Sequence, residues 1–242
     1  MSGAAVVIGA GDATGGAIAR AFAATGLTAC VNRRPKSIDA LEALAASIRA
    51  DGHDARAYPG DARAEADMIA LFDSVESDVG PVEVAVFNIG ANVNFPITET
   101  TTRVYTKVWE MACLGGFLMG REAAKRMSPR GRGTIIFTGA TASLRGGAGY
   151  AAFSGAKAAL RMLAQSMARE LGPQGIHVAH VVIDGAIDTD FIRQRHGDFD
   201  AAKAADLILS PGAIAAQYVM LHNQPRSAWT HEMDLRPWGE TW

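Results

Sequence analysis

The feature that most constrains this chain is a regular exchange, along its whole length, between short apolar runs and longer amphipathic stretches. Runs at residues 4–8, 28–32, 53–58, 82–87, 133–138 and 176–183 have the length and composition of strands, and residues 227–235 are read as holding a seventh. Between them, residues 16–25, 38–51, 65–79, 102–127 and 150–171 repeat apolar side chains at helical spacing, as in Leu41, Leu44, Ala45 and Ile48. The stretch 102–127 reads as one long helix or a helix with a broken start, and Gly172-Pro173 is a stop signal for 150–171. Further helix follows to residue 221. Strands joined by helices of ten or more residues need right-handed crossovers, which make the strands parallel and cover both faces of the sheet. The expectation is an α/β fold: a single domain over residues 1–242 in three layers, with a mostly parallel sheet in the middle. Ligands of such sheets bind beyond the carboxyl ends of the strands. Functional residues are therefore sought immediately after each strand.

Composition narrows the function classes. With 242 residues, 49% of them hydrophobic, the chain can bury a large core. Its net charge of −2 offers no basic surface for nucleic acid or an anionic membrane. Cys30 and Cys113 stand far apart, and neither they nor the six histidines show metal or redox spacing, so no metal is expected. Reduced cysteines point to the cytoplasm. The N-terminal residues show no basic region followed by a long apolar stretch, so neither a signal peptide nor a membrane span is expected.

The loop Gly9-Ala10-Gly11-Asp12-Ala13-Thr14-Gly15-Gly16 joins the first strand to the first helix. Glycines there permit a tight turn and close approach to a pyrophosphate, and the helix start offers free amides. The second strand ends Val31-Asn32-Arg33-Arg34, with no acid before Asp39. An acid at this point would accept from the 2′-hydroxyl of NAD, whereas guanidiniums suit the 2′-phosphate of NADP. NADP(H) is the expected cofactor, with NAD(H) as the runner-up, and one of the two arginines can equally be a solvated loop charge. Asp61 is placed either to accept from the adenine amino group or to cap the helix that follows Ala62.

These residues resemble the short-chain dehydrogenase/reductase family over nearly the whole chain. Gly9 and Gly15 resemble its glycine motif, with Ala13 at the central glycine. Asn88-Ile89-Gly90 resembles its Asn-Ala-Gly segment, and Asp184-Gly185-Ala186-Ile187-Asp188-Thr189 its Pro-Gly-x-x-x-Thr segment, with Asp184 in the proline's place. The resemblance implies a seven-stranded Rossmann sheet and homotetramers or dimers paired through the long helices. It also implies a cofactor site that includes Asn88, Gly90, Gly185, Ile187 and Thr189, with Thr189 meeting the nicotinamide carboxamide. Of the family's Asn, Ser, Tyr and Lys, only the lysine is present, as Lys157. The other positions hold Cys113, Ala140 and Phe153.

A phenyl ring has no proton to give. Tyr150 and Lys157 are seven residues apart, about 700° around a helix, and so share a face. This Tyr-x6-Lys spacing resembles that of enoyl-thioester reductases. Tyr150 is thus either a replacement donor or a pocket wall, and Thr141 is a candidate for orienting a substrate oxygen. Residues 190–210, rich in aromatic and charged side chains, read as a substrate lid. The expected function is a small-molecule oxidoreductase with a non-standard site, acting on an activated C=C or carbonyl group. The alternative is an NADP(H)-binding protein without turnover.

Overall fold

The computed structural model describes residues 3–11 and 13–241. Seven strands form one sheet: β1 (Ala4–Ile8), β2 (Thr28–Arg33), β3 (Ala55–Pro59), β4 (Val82–Phe87), β5 (Gly133–Thr138), β6 (Ile176–Ile183) and β7 (Glu232–Leu235). Their order is β3-β2-β1-β4-β5-β6-β7 and every neighbouring pair is parallel. The expected single-domain Rossmann architecture is what the chain adopts.

Burial on both faces explains why the central strands read as continuous apolar runs rather than alternating ones. In β1, Ala4, Val6 and Ile8 join one core with Met68, Leu71, Phe72 and Val75 of α3 (Glu65–Asp78). That core also takes Leu118 and Met119 of α5 (Gly115–Met127) and Leu160 and Ala164 of α6 (Ala151–Leu171). Ala5 and Val7 face the opposite core, closed by α1 (Thr14–Ala23), α2 (Ile38–Ala50) and α9 (Pro211–His222). The sheet is thereby the middle of three layers.

Several boundaries depart from the sequence reading, among them those of α1, which spans Thr14–Ala23 rather than 16–25, of the stretch 102–127 and of β3. The stretch 102–127 is α4 (Thr102–Trp109), a π-helical turn (Glu110–Leu114) and then α5. Packing explains the break: a Cβ on Gly116 would come within 2.4 Å of Leu160 Cδ1, so the backbone runs against α6 and β4 at this point. One residue inserted into the helical path turns the downstream face by about 100°, which seats Gly115 and Gly116 on Phe87. β3 starts at Ala55, the first residue in register with β2, and Asp54 before it adds only its carbonyl, which accepts from Ala29 N at 2.9 Å. After β6 the chain forms α7 (Asp190–Arg193) and α8 (Phe199–Ala204) before α9. Among the described residues no helix is long and apolar enough to cross a membrane.

Candidate active site

The strand ends open into a cleft made of two cavities, of about 600 and 260 Å³, which share Asn88, Ile89 and Gly90 as a common wall. This wall follows β4, beside β1, where the strand order reverses.

The smaller cavity gathers Gly9, Gly11, Asn32, Arg33, Arg34, Asp61, Ala62, Asn88 and Gly90 from four separate strand ends. Gly9 has φ +83°, and a Cβ on Gly15 would stand 2.4 Å from Gly9 O, so the fold itself demands both glycines. Gly11 and Gly90 differ: a Cβ on either would meet nothing within 4 Å. The room they leave faces the cleft, next to the amide-rich start of α1, and fits a dinucleotide's pyrophosphate. Asp12 lies outside the described residues. Ala13 precedes the first residue of α1, and Thr14 lines the larger cavity.

Asn32 shapes this loop rather than presenting its amide to a ligand. Its Nδ2 donates to Tyr58 O at 2.8 Å and Gly60 O at 3.3 Å, and its backbone oxygen accepts from the amides of Gly9 and Ala10. The guanidiniums of Arg33 and Arg34 have no hydrogen-bond or ion-pair partner among the described residues. Asp61 receives three groups of Arg63: the backbone amide, Nε and Nη2. That pairing holds its carboxyl down at about 2.

Lys157 stands at the centre of the larger cavity. Its Nζ donates to Ile89 O and Thr138 O, both at 2.8 Å, and it is 2% exposed. Burial pushes its ammonium down to about 7. One turn earlier, Phe153 lines the cavity and packs among Val108, Ala112, Ala142, Ala152 and Ala156. Ala140 lines the cavity without a donor. Cys113 sits in the π-helical turn and lines neither cavity, and burial raises its thiol pKa.

Tyr150 is the residue immediately before α6, and its carbonyl accepts from Ser154 N at 2.8 Å, as in the helix itself. It lines the same cavity as Lys157, and its hydroxyl has no hydrogen-bond partner among the described residues. Thr141 also lines the cavity, but its Oγ1 donates to Asp184 Oδ1 at 2.5 Å. With its proton held there, Thr141 presents lone pairs to the cavity and accepts from a ligand. Asp184 is 1% exposed and faces Arg145 at 3.4 Å and Arg236 at 3.6 Å.

Gly185, Ile187 and Thr189 form the far wall. Gly185 has φ +154°, and a Cβ there would come within 2.7 Å of Pro237 Cδ, so the C-terminal segment closes over it. Thr189 Oγ1 caps α7 by accepting from Ile192 N at 3.2 Å, which leaves its own hydroxyl proton to donate. Phe191 and Ile192 complete this side, and Lys203 and Arg193 tie the segment to Asp188 at 2.6 and 3.7 Å. The tail's Trp238 is 81% exposed, with its Nε1 donating to Ala205 O at 3.0 Å.

Sequence reasoning missed Ser37, Asn92, Arg145 and Ser154, which also line the cleft. The available signal was position: Arg145 lies on the loop after β5, and Ser154 adjoins Phe153. Ser154 Oγ is buried without a hydrogen-bond partner among the described residues.

The family described as short chain dehydrogenase matches residues 3–198. A solved short-chain dehydrogenase from Rhodopseudomonas palustris is 48% identical, covering 98% of this chain and 99% of that one, with a TM-score of 0.83. Short-chain dehydrogenase/reductase eriH of Hericium erinaceus is 33% identical over 84% of this chain and 82% of its own length. Cis-4-hydroxycyclohexanecarboxylate dehydrogenase of Sinomonas cyclohexanicum is 30% identical over 83% of this chain and 80% of its own.

Proposed function

The chain belongs to the short-chain dehydrogenase family, and from that premise we propose that it is an NADP(H)-dependent reductase in which Tyr150, not residue 153, meets the reacting oxygen. The observation that carries this reading is a single cavity lined by Lys157 and the unpartnered Tyr150 hydroxyl, in which residues 140 and 153 are Ala and Phe. Lys157 spends two N–H groups on Ile89 O and Thr138 O. The third N–H of its ammonium remains for the cofactor's ribose hydroxyls. Bound nicotinamide supplies the hydride; the protein orients the substrate and provides a proton at oxygen. Tyr150 stands three residues before position 153, on the residue that precedes α6, which sets the phenol roughly 4.5 Å toward the helix start by the rise of a helix. That offset suits a conjugated substrate, whose oxygen lies beyond the carbon that receives hydride. An activated C=C therefore fits better than an isolated ketone.

Arg33 and Arg34 support NADP(H) over NAD(H), because both line the smaller cavity and neither is in hydrogen-bond or ion-pair contact with a carboxylate among the described residues, Arg34 acting on Asp61 only through its charge. Residues 190–210 act as the lid, with Phe191 and Ile192 over the cavity. Copies of the chain pair through α4, α5 and α6, where Tyr105, Trp109, Phe117 and Met162 are exposed.

The test follows NADPH absorbance with enones, enoyl thioesters and ketones after cofactor binding has been measured separately. Oxidation with an activated alkene is expected. Tight NADPH binding with no turnover across the panel would sink the reductase reading and favour a binding protein.

A further inference from the structure

We propose that Arg145 is the specificity-determining residue of the cavity and that the substrate carries a carboxylate. The inference rests on the reductase reading only for turnover; the binding claim stands on the cavity itself. Among the described residues lining the larger cavity, the charged side chains are Lys157 and Arg145, and no carboxylate lines it. Lys157 is enclosed and already holds two carbonyls. Arg145 is the accessible cation: its side chain is 45% exposed, and it lies beside Gly146, Gly147 and Tyr150 on the same wall.

Arg145 is also under-used. Only its Nη2 meets an acceptor, 3.4 Å from each oxygen of Asp184. That is longer than the 2.7–2.9 Å usual for a guanidinium on a carboxylate. Asp184 is served otherwise, by the Thr141 hydroxyl at 2.5 Å and Arg236 at 3.6 Å. Arg145 can therefore turn its remaining N–H groups to a ligand without stranding Asp184. Thr141, its proton fixed on Asp184, repels an oxyanion and accepts a donor instead. An anionic group is thus steered away from Thr141 and onto Arg145. A carboxylate is favoured over a phosphate because one guanidinium, partly shared with Asp184, matches a single planar charge. A dianion would need more cations than this wall supplies.

Anchoring at Arg145 leaves the rest of the substrate in the apolar part of the cavity formed by Ile89, Ile183, Ile187 and Phe153, near Lys157 and Tyr150. The substrate class is a small unsaturated or carbonyl-bearing acid.

The experiment has two arms. In the first, the NADPH complex is titrated with benzoate, benzamide and phenyl phosphate by calorimetry. Benzoate is expected to bind at least tenfold tighter than benzamide and tighter than phenyl phosphate. That preference should fall roughly ten- to a hundredfold in Arg145→Ala and partly survive in Arg145→Lys. Because Arg145→Ala removes a counter-ion from buried Asp184, the Arg145→Ala/Asp184→Asn double variant is measured beside it, and it should lose the preference as fully. In the second arm, NADPH oxidation is compared for an unsaturated acid and its methyl ester, and the acid-to-ester ratio of kcat/KM should drop by the same factor in Arg145→Ala. Equal binding of benzoate and benzamide, a preference that survives in both Ala variants, or tighter binding of phenyl phosphate overturns the inference. Arg145-dependent benzoate binding without turnover would instead leave the site claim standing and defeat the reductase reading.

Discussion

Phe153 leaves neither a hole nor a proton donor at its position. The ring fills the space among Val108, Ala112, Ala142, Ala152 and Ala156, so the helix is packed there by a side chain with no proton to give. Phe153→Tyr restores a phenol on the turn before Lys157, and we expect it to gain ketone reduction measurable by NADPH absorbance. No gain would mean that the cavity no longer admits a ketone at position 153. At the other end of the cleft, Arg33→Ala/Arg34→Ala is expected to weaken NADPH binding by about 10- to 100-fold, the value of a lost charge-assisted contact or two. NADH binding should change far less, and equal losses for the two cofactors would contradict the NADP assignment. These single positions were legible in the sequence because spacing preserves them: Lys157, Phe153 and Ala140 are found by counting along one segment. The Thr141–Asp184 and Arg145–Asp184 contacts were not, because they join residues 43 and 39 apart in the chain. They depend on how the end of β6 meets the loop after β5, which no local pattern encodes.

At the scale of elements, the glycine loop separates structural from ligand demands. Gly15 is enclosed by Gly9 O at 2.4 Å and the Ala10 backbone at 2.8 Å, measured from the position of an added Cβ. Gly15→Ala is therefore expected to cost about 3 kcal/mol, a fall in Tm of roughly 6–12 °C. Gly11→Ala meets open space and should leave Tm within about 2 °C while lowering NADPH affinity. A thermal melt with and without cofactor separates the two, and a large Tm loss in Gly11→Ala would show that the cradle is built differently. The bounds of β1, β4, β5 and β6 were legible because strands buried on both faces are mostly apolar, unbroken in β1 and interrupted only by Glu83 in β4, by threonines in β5 and by His177 and His180 in β6. The π-helical turn at Glu110–Leu114 was not, since it follows from Gly115 and Gly116 pressing on Phe87 and Leu160 across the core. The edge strand β3 is only partly buried, so its pattern is faint and its start was read two residues early.

At the scale of the whole molecule, the buried ammonium links folding to pH. Lys157 is held at about 7 in the folded chain against an ordinary value of 10.5. Between those values the unfolded chain carries the extra proton, so stability rises with pH. Below about 7 the penalty is full and constant, and above about 10.5 it vanishes. Comparison with Lys157→Met isolates this group from Cys30, whose thiol burial pushes up to about 12. The wild type is expected to gain about 2–3 kcal/mol relative to the variant between pH 7 and pH 9, read by denaturant unfolding. A flat difference would mean that Lys157 keeps its proton through the two carbonyls it holds. The architecture that places this lysine was readable from the alternation of strands and helices, because that alternation fixes where the strand ends converge. The reaction was less readable, because it depends on which hydroxyl in the shared cavity keeps a free proton. Thr141 gives its own to Asp184, while Tyr150, Thr189 and Ser154 keep theirs, and of these three the phenol is the strongest acid. The most direct measurement is kcat for NADPH-dependent reduction of an activated alkene by the wild type and by Tyr150→Phe. A loss of at least about 100-fold is expected in the variant, the value of a positioned general acid, with NADPH still bound. Undiminished turnover in Tyr150→Phe would contradict it.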